Sequence, residues 1–316
     1  MKEIVIKQND AGQRLDKFLT KAYKNLPVSM MYKLIRKKKI TVNRKRAKEN
    51  QMLNEGDLIL IFAPDDLFSS ESSRPKKLNG KINVVYEDEN IIIVDKEEGL
   101  IVHSDTDDGS DNLIDRITGY LISKNQYLPE EENSFAPALC NRIDRNTQGL
   151  VIAAKNAQAL REMNYIIKER LVHKTYLAVV HGVLSPDKGE MKLLLEKDSD
   201  SNIVKVRARA NSNTKTAITR YNKIAVSRDG KFSLVEVDLV TGRTHQIRAS
   251  FAHIGHPLLG DGKYAVNKKD RQMGYSSQAL CAYSLTFDGC KKCEALGYLD
   301  GLTVEAEKPR FLKLFN

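Results

Sequence analysis

The segment from residue 64 to residue 81 constrains the fold of this chain most, because its composition does not suit a packed core. Its sequence, PDDLFSSESSRPKKLNGK, is polar and rich in serine, with proline at positions 64 and 75. Segments of this kind usually act as linkers between folded units. A chain of 316 residues is long enough for two domains. We therefore expect a small domain at 1–63 and a larger one at 82–316.

Positive charge is concentrated in the smaller of these two domains. Residues 1–63 contain 15 Lys or Arg against 6 Asp or Glu, whereas the whole chain contains 51 against 41. The small domain thus carries nine of the ten excess positive charges. This asymmetry is typical of a polyanion-binding domain beside a nearly neutral body. A basic face that only improves solubility is the alternative interpretation.

The spacing of apolar residues in the small domain predicts two helices followed by a hairpin. The first helix covers RLDKFLTKAYK, and the second covers MMYKLIRKKK after Pro27, with Ser29 as its cap. A short strand at 40–42, the basic turn NRKR and the apolar strand LILIF complete the unit. The cations expected to contact phosphates are Arg14, Lys33, Arg36, Lys37, Arg44 and Arg46.

Strands and helices alternate irregularly from residue 82 onwards. Because both helices and hairpin-like loops separate the strands, the predicted fold class is α+β, with a mixed, mostly antiparallel sheet and flanking helices. The predicted elements are strands at 91–94, 150–154, 175–180, 216–221 and 232–240, and helices at 112–123, 156–169 and 244–254.

Several kinds of site have no signature in the sequence. No glycine-rich phosphate loop occurs, so no nucleotide cofactor is expected. The pair Cys290 and Cys293 lacks two further zinc ligands at suitable spacing, so no metal is expected either. The N-terminus has no signal-peptide core, and no apolar run is long enough to cross a membrane. We expect a cytoplasmic protein, and nothing requires more than a monomer.

The segment NRIDRNTQGLVIAAK, beginning at residue 141, is the first candidate for chemistry. Its charged cluster, Arg142, Asp144 and Arg145, leads directly into an apolar strand. In an extended segment, Arg142 and Asp144 point to one side and Ile143 to the other. A carboxylate there stays ionised when a neighbouring arginine lowers its pKa against the effect of burial. An ordinary aspartate in a surface turn is the alternative interpretation.

Two further segments carry candidate residues. In VTGRTHQIRASFAHIGHPLLGDGKYA, a strand, a tight turn and a helix start place Arg243, His245 and Arg248 around the helix entrance, where anions are attracted. Arg248 adjoins the apolar face and therefore needs a carboxylate partner. In HKTYLAVVHG, Tyr176 and Leu177 point to opposite faces of a strand. A tyrosine there can stack on a base or move a proton, or simply belong to the core.

Taken in order, these segments resemble the signatures of the pseudouridine synthases that modify uridines in large-subunit ribosomal RNA and transfer RNA. The small domain resembles the RNA-binding domain first recognised in a ribosomal small-subunit protein. Residues 142–150 match the R-L-D-R-x-T-x-G-L signature, residues 174–176 match the K-x-Y element, and residues 242–248 match the G-R-T-H-Q-I-R element. Residues 87–103, 255–261 and 278–287 match neighbouring segments of the family.

The resemblance implies a cofactor-free isomerisation of uridine to pseudouridine in RNA. It makes Asp144 the catalytic carboxylate, either as nucleophile or as base toward a glycal intermediate. Arg248 would pair with Asp144, Tyr176 would stack on the uracil or take the C5 proton, and Arg142 would fill the gap left by the flipped-out nucleotide. The other RNA contacts expected in this domain are Arg145, Arg243 and His245.

Three positions depart from the family pattern, namely Asn141 and Cys281 in place of His, and Gln148 in place of Ser. They concern the identity of the target uridine more than the reaction, because the catalytic positions match. The alternatives are an RNA-binding protein that has lost catalysis, a structural protein of the ribosome, and a cofactor-free phosphate ester hydrolase. A hydrolase would normally need clusters of metal-binding carboxylates, which the sequence does not suggest.

Overall fold

The computed structural model describes residues 1–64, 81–104, 110–198 and 202–316. Residues 65–80 of the expected linker therefore lie outside the described residues. No helix in the described ranges combines the length and the apolar character needed to span a bilayer.

Two helices pack against a four-stranded antiparallel sheet in the N-terminal part of the chain. The helices and the pairing of residues 40–42 with 58–61 agree with the sequence-based expectation. The first strand is additional, because KEIV is too short an apolar run to predict one. The helices are α1 (Leu15–Ala22) and α2 (Val28–Arg36), and the strands in their order across the sheet are β1 (Lys2–Val5), β4 (Leu58–Ile61), β2 (Ile40–Val42) and β3 (Lys45–Arg46).

The predicted cap of α2 at Ser29 is wrong. Helix α2 begins at Val28, and Pro27 precedes it with a φ of −61° and no side-chain cap. Proline suits this position because its ring holds φ near the helical value and it has no N–H to leave unpaired. The helix also ends earlier than predicted, at Arg36, and Lys38 then turns the chain with a left-handed φ of 56°.

Eleven strands of the described chain after residue 82 form one large sheet, with four α-helices around it. The strands are β5 (Asn83–Glu87), β6 (Ile91–Lys96), β7 (Ala138–Leu139), β8 (Gln148–Ala154), β9 (Val172–His181), β10 (Lys188–Lys197), β11 (Val204–Arg207), β12 (Thr214–Val226), β13 (Phe232–Leu239), β14 (Leu280–Phe287) and β15 (Thr303–Glu305). The helices are α3 (Leu113–Ser123), α4 (Ala157–Lys168), α5 (Gln246–His253) and α6 (Lys268–Gln272).

The sheet is mixed and mostly antiparallel, as predicted. Its strand order is β11-β10-β12-β13-β9-β14-β8-β6-β5, with β7 paired to β8 and β15 paired to β14. The pair β14–β8 is parallel. Gly149 lies at this parallel contact with a φ of +124°, and a Cβ atom there would approach the carbonyl oxygen of Ala282 to 2.3 Å. Glycine is therefore required just where the Asp144 segment enters the sheet.

Alternate residues of the central strands bury apolar side chains on the two faces of the sheet. In β6, Ile91 and Ile93 belong to one core, whereas Ile92 and Val94 belong to the other. Helix α4 packs in the first core, and α3 and α5 pack in the second. This double burial explains why 91–94 and 150–154 are continuous apolar runs.

The loop before α1 attaches the N-terminal part of the chain to α4 and the segment preceding β7. Asp10 is fully buried and accepts hydrogen bonds from Ser134 Oγ (2.6 Å) and Asn133 Nδ2 (2.7 Å). Asn9 Oδ1 accepts a hydrogen bond from the backbone N–H of Ala157, the first residue of α4 (3.1 Å). Specific polar contacts thus join the two parts.

Candidate active site

A cavity of about 130 Å³ is lined by the segment that precedes β8, by residues of β9, β13 and β14, and by the loop and first turn of α5. Six of the predicted site residues line it, and they come from three separate segments of the chain. They are Arg142, Asp144, Tyr176, Arg243, His245 and Arg248. Folding therefore brings together the three candidate segments of the sequence.

The other predicted contacts lie elsewhere. Arg145 is exposed, does not line this cavity, and donates from Nε to the carbonyl oxygen of Gly99 (3.0 Å). Arg14 is paired with Asp16 (2.6 Å), although its side chain remains about half exposed. The N-terminal cations are all exposed on the smaller unit and do not line the cavity. They are Arg14, Lys33, Arg36, Lys37, Arg44 and Arg46.

Arg248 connects two carboxylates. Its Nη1 donates to Asp144 Oδ2 (3.2 Å), and its Nε and Nη2 donate to the two oxygens of Asp261 (2.7 and 2.9 Å). Burial alone would lower the pKa of Arg248, but the hydrogen bonds and charge of Asp261, together with Asp144, raise it. Arg248 therefore stays charged, and Asp261 fixes the direction in which it points toward Asp144.

Asp261 was not identified from the sequence as a site residue. Its side chain is 0% exposed, and besides Arg248 it accepts hydrogen bonds from the backbone N–H groups of Lys263 (2.9 Å) and Tyr264 (3.3 Å). Burial would raise the pKa of Asp261, but Arg248 lowers it below the ordinary value. The only sign of Asp261 in the sequence analysis was the prediction that Arg248 needs a carboxylate partner.

Lys96 was also missed, although it holds the backbone beside Asp144. Its buried Nζ donates to three carbonyl oxygens, those of Glu97 (2.8 Å), Leu100 (2.8 Å) and Arg145 (2.9 Å). Burial lowers the pKa of Lys96 to about 8, so the ammonium group is still charged at neutral pH. Lys96 thereby anchors the turn that immediately follows Asp144.

Tyr176 forms part of the cavity wall. It belongs to one apolar core and its neighbour Leu177 to the other, so the two side chains lie on opposite faces, as predicted. Burial, with a smaller contribution from the charge of Asp144, raises the pKa of Tyr176. The phenol is therefore protonated at neutral pH.

Helix α5 begins at Gln246, two residues after the predicted start. Gln246 Oε1 accepts hydrogen bonds from Thr241 Oγ1 (2.8 Å) and from the backbone N–H of Arg243 (3.0 Å). Gln246 Nε2 donates to the carbonyl oxygen of Ile218 (3.0 Å). This side chain closes the loop ahead of the helix and leaves His245 in a left-handed conformation with a φ of 49°.

Of the two arginines and the histidine predicted to form an anion receptor, His245 is neutral at neutral pH. Its Nδ1 lies 2.9 Å from the Tyr264 hydroxyl, and its Nε2 lies 3.8 Å from Asp144 Oδ2. Burial, reinforced by Arg248, lowers the pKa of His245 to about 4, although Asp144 acts in the opposite direction. His245 therefore contributes hydrogen bonds rather than charge.

We expect His245 to make the protein less stable as the pH falls from about 6.5 to about 4. In that range the unfolded chain takes up a proton on this histidine and the folded chain does not, which favours unfolding. Between pH 7 and pH 5 the free energy of unfolding should fall by about 2 kcal/mol more in the wild type than in His245→Asn. Urea denaturation at both pH values measures this. An equal fall in both proteins would mean that folding does not lower the pKa of His245.

Among the described residues, no group of three or more His, Cys, Asp or Glu side chains is arranged to hold a metal ion. The thiols of Cys290 and Cys293 are free, Cys290 being buried and Cys293 partly buried.

Comparison with known proteins assigns both parts of the chain. Residues 90–253 match the model of the RNA pseudouridylate synthase family, and residues 13–59 match the model of the S4 domain. Among solved structures, a human protein described as RNA pseudouridylate synthase domain containing 4 superimposes with a TM-score of 0.56 at 22% identity, over 73% of this chain and 90% of that one. At this identity the superposition shows a shared fold.

Two curated relatives are similar over most of their length. The chain is 35% identical over 277 residues to the ribosomal large subunit pseudouridine synthase C of Buchnera aphidicola, covering 84% of this chain and 81% of that protein. It is also 35% identical over 285 residues to the protein of the same name from Rickettsia bellii, covering 86% and 88% of the two chains.

Proposed function

This chain belongs to the RNA pseudouridine synthase family, and we propose that it isomerises uridines of large-subunit ribosomal RNA with Asp144 as the catalytic carboxylate. The observation that carries this proposal is the placement of Asp144 in a cavity it shares with Tyr176, where Arg248 holds its carboxylate at 3.2 Å. The names of the two relatives support ribosomal RNA as the substrate.

The proposed reaction needs no co-reactant. The C1′–N1 bond of uridine breaks, the detached uracil turns in the cavity, and a C1′–C5 bond forms. The proton on C5 is lost and N1 gains one, so the atoms balance. Asp144 acts at the sugar, either by attacking C1′ or by accepting a proton on the way to a glycal. Arg248 keeps the carboxylate oriented throughout, since Asp261 prevents it from turning away.

Of the two roles predicted for Tyr176, we propose stacking on the uracil. Its raised pKa makes the phenol a poor base near neutral pH, because a base must first be deprotonated. Arg142 is exposed at the mouth of the cavity and is suited to fill the space that the flipped-out nucleotide leaves in its helix. Arg243 and Arg145 would contact the RNA backbone nearby.

We propose that the chain divides into an RNA-binding domain at 1–63, a linker at 64–81 and a catalytic domain at 82–316. A separate sheet and apolar core in the first part, and the S4 match within it, support this division. The exposed cations of the first domain would bind phosphates without reading sequence.

Replacing Lys33, Arg36, Lys37 and Arg44 together with glutamine should weaken RNA binding far more than it slows the chemical step. For every phosphate that is no longer neutralised, the slope of log affinity against log salt concentration should decrease by about 0.7–0.9. Filter binding at several salt concentrations and single-turnover rates at saturating RNA measure the two effects. The matched control replaces four exposed lysines of the other domain, at positions 291, 292, 308 and 313. Equal affinities for the two variants would contradict the proposed role of the N-terminal cations.

Mapping pseudouridines in RNA from cells with and without this protein tests the proposed function. Cells without it should lack pseudouridine at one or more positions of large-subunit ribosomal RNA, and the wild-type protein should restore them. Identical maps would contradict the proposed activity. Loss of pseudouridines from transfer RNA alone would contradict the proposed substrate but not the proposed reaction.

A further inference from the structure

A second, larger cavity of about 570 Å³ adjoins the candidate active site. Arg142, Tyr176 and Arg243 line both cavities, so the two lie side by side. Another part of its wall is formed by the turn between α4 and β9, which contributes Arg170, and by the start of β9, which contributes Lys174. Whatever occupies this second cavity therefore lies next to the nucleotide in the first.

The second cavity is strongly cationic. Its lining includes six Lys or Arg side chains and one carboxylate, that of Asp238, which already faces Arg220 at 3.8 Å. In the described part of the chain, no hydrogen bond or ion pair is found for the side chains of Arg142, Arg170 or Lys174. Three cations of this cavity thus have no carboxylate to neutralise them within the described residues.

Lys174 is the least hydrated of these three cations. Burial lowers its pKa, and no neighbouring carboxylate acts against that effect. Keeping a partly desolvated ammonium group without a counter-charge is unfavourable, and an incoming anion relieves that cost. The free protein thus holds Lys174 in a state that binding of an anion would stabilise.

Arg170 occupies a backbone position that normally favours glycine or asparagine. It follows the end of α4 with a φ of +61°, in the left-handed region. A non-glycine residue there costs of order 1 kcal/mol relative to glycine. Glycine would fit this backbone conformation better, but only a residue such as arginine places a cation in the cavity.

The wall that carries Arg170 is held firmly. Helix α4 is capped at its first turn by Asn156, whose side chain accepts from the N–H of Ala159 (2.8 Å), and by Asn9 of the N-terminal part. Its other end is closed by backbone hydrogen bonds of Arg170 and Leu171 to Ile167 (3.3 Å) and Ile166 (2.8 Å). A cation on a rigid wall binds an anion at smaller entropic cost than one on a flexible loop.

We propose that this second cavity binds backbone phosphates of the RNA strand beside the target uridine, with Arg170 and Lys174 as the contacting cations. The inference rests on the proposed function, because the position beside the uridine cavity is what selects RNA over an acidic protein segment as the occupant. It adds a phosphate subsite within the catalytic domain, separate from the cations of the N-terminal domain.

The variants Arg170→Gly and Lys174→Met test the subsite. Each should weaken binding of a large-subunit ribosomal RNA transcript about threefold to tenfold near physiological salt, and each should reduce the salt slope by about 0.7–0.9. The rate at saturating RNA should fall less than the affinity does. Arg170→Gly should leave thermal stability unchanged or raise it, because glycine tolerates the left-handed backbone. Loss of affinity therefore cannot be attributed to misfolding.

The control is Lys292→Gln, which removes an exposed cation that lines neither cavity. Unchanged affinity and salt slope in both cavity variants, with an active wild-type enzyme, would overturn the subsite and leave the proposed function intact. A wild-type enzyme that forms no pseudouridine would instead overturn the proposed function. If both variants bind RNA normally but release polyglutamate that the wild type retains, the occupant is an acidic protein segment and our proposal is wrong.

Discussion

Asp144→Asn should abolish pseudouridine formation while leaving the protein folded and able to bind RNA. Asparagine is nearly isosteric and its carbonyl oxygen can still accept the hydrogen bond from Arg248, so the cavity keeps its shape. It cannot attack C1′ as a carboxylate or take a proton. Removing a group of this kind typically lowers the rate by about 10⁴-fold to 10⁶-fold. Single-turnover conversion of a ribosomal RNA transcript measures the loss.

The matched control for this variant is Asp288→Asn, which makes the same chemical change at an exposed carboxylate outside both cavities. It should retain the wild-type rate. Thermal unfolding of Asp144→Asn should stay close to that of the wild type, because the Asp144 side chain is 27% exposed and partly solvated. Substantial turnover by Asp144→Asn would remove Asp144 from its proposed role.

The second large effect is expected at Arg248. Replacing it with methionine leaves Asp261 buried without its partner, and breaking a buried ion pair in this way costs about 3–5 kcal/mol of unfolding free energy. Asp144 also loses the group that orients it. We expect the rate of the folded fraction to fall by about 10²-fold to 10³-fold, the size seen when one preorganised charged or polar group is removed from an active site. Urea denaturation and single-turnover kinetics measure the two effects separately.

A double variant distinguishes stability from chemistry at this position. Arg248→Met combined with Asp261→Asn removes both charges, and the asparagine oxygen can still accept from the N–H groups of Lys263 and Tyr264. Much of the stability should return, since no uncompensated charge remains buried. The rate of pseudouridine formation should stay low, because the double variant lacks the arginine that orients the Asp144 carboxylate. Recovery of activity together with stability would show that Arg248 serves folding alone.

The large sheet was predictable because its central strands are buried on both faces. Continuous apolar runs such as 91–94 and 150–154 need no alternation to be recognised as strands. Strands β10 and β11 were missed for the opposite reason. Strand β11 is the edge strand and β10 lies next to it. Strand β10 has the sequence KGEMKLLLEK, with charged residues at both ends and a half-exposed centre. In such a strand, neither the spacing of the apolar residues nor the overall polarity distinguishes a strand from a helix or a loop.

Within the site, the sequence predicted residue identities better than their partners. That Arg248 needs a carboxylate followed from its place beside Ile247, but its partner lies 13 residues further on, across a loop with no helical or strand period. The charge state of His245 could not be predicted from the sequence either, because it depends on burial. Burial against Tyr264, which only the fold creates, keeps it neutral.

A structure of the Asp144→Asn enzyme with bound ribosomal RNA tests the central claim most directly, since slow chemistry preserves the substrate. Our account predicts the target uridine outside its helix, its ring against Tyr176, and its C1′ within about 3–3.5 Å of the side chain at position 144, the separation of reacting atoms. A target uridine still stacked in its helix, or held in another part of the enzyme with its sugar far from position 144, would contradict it.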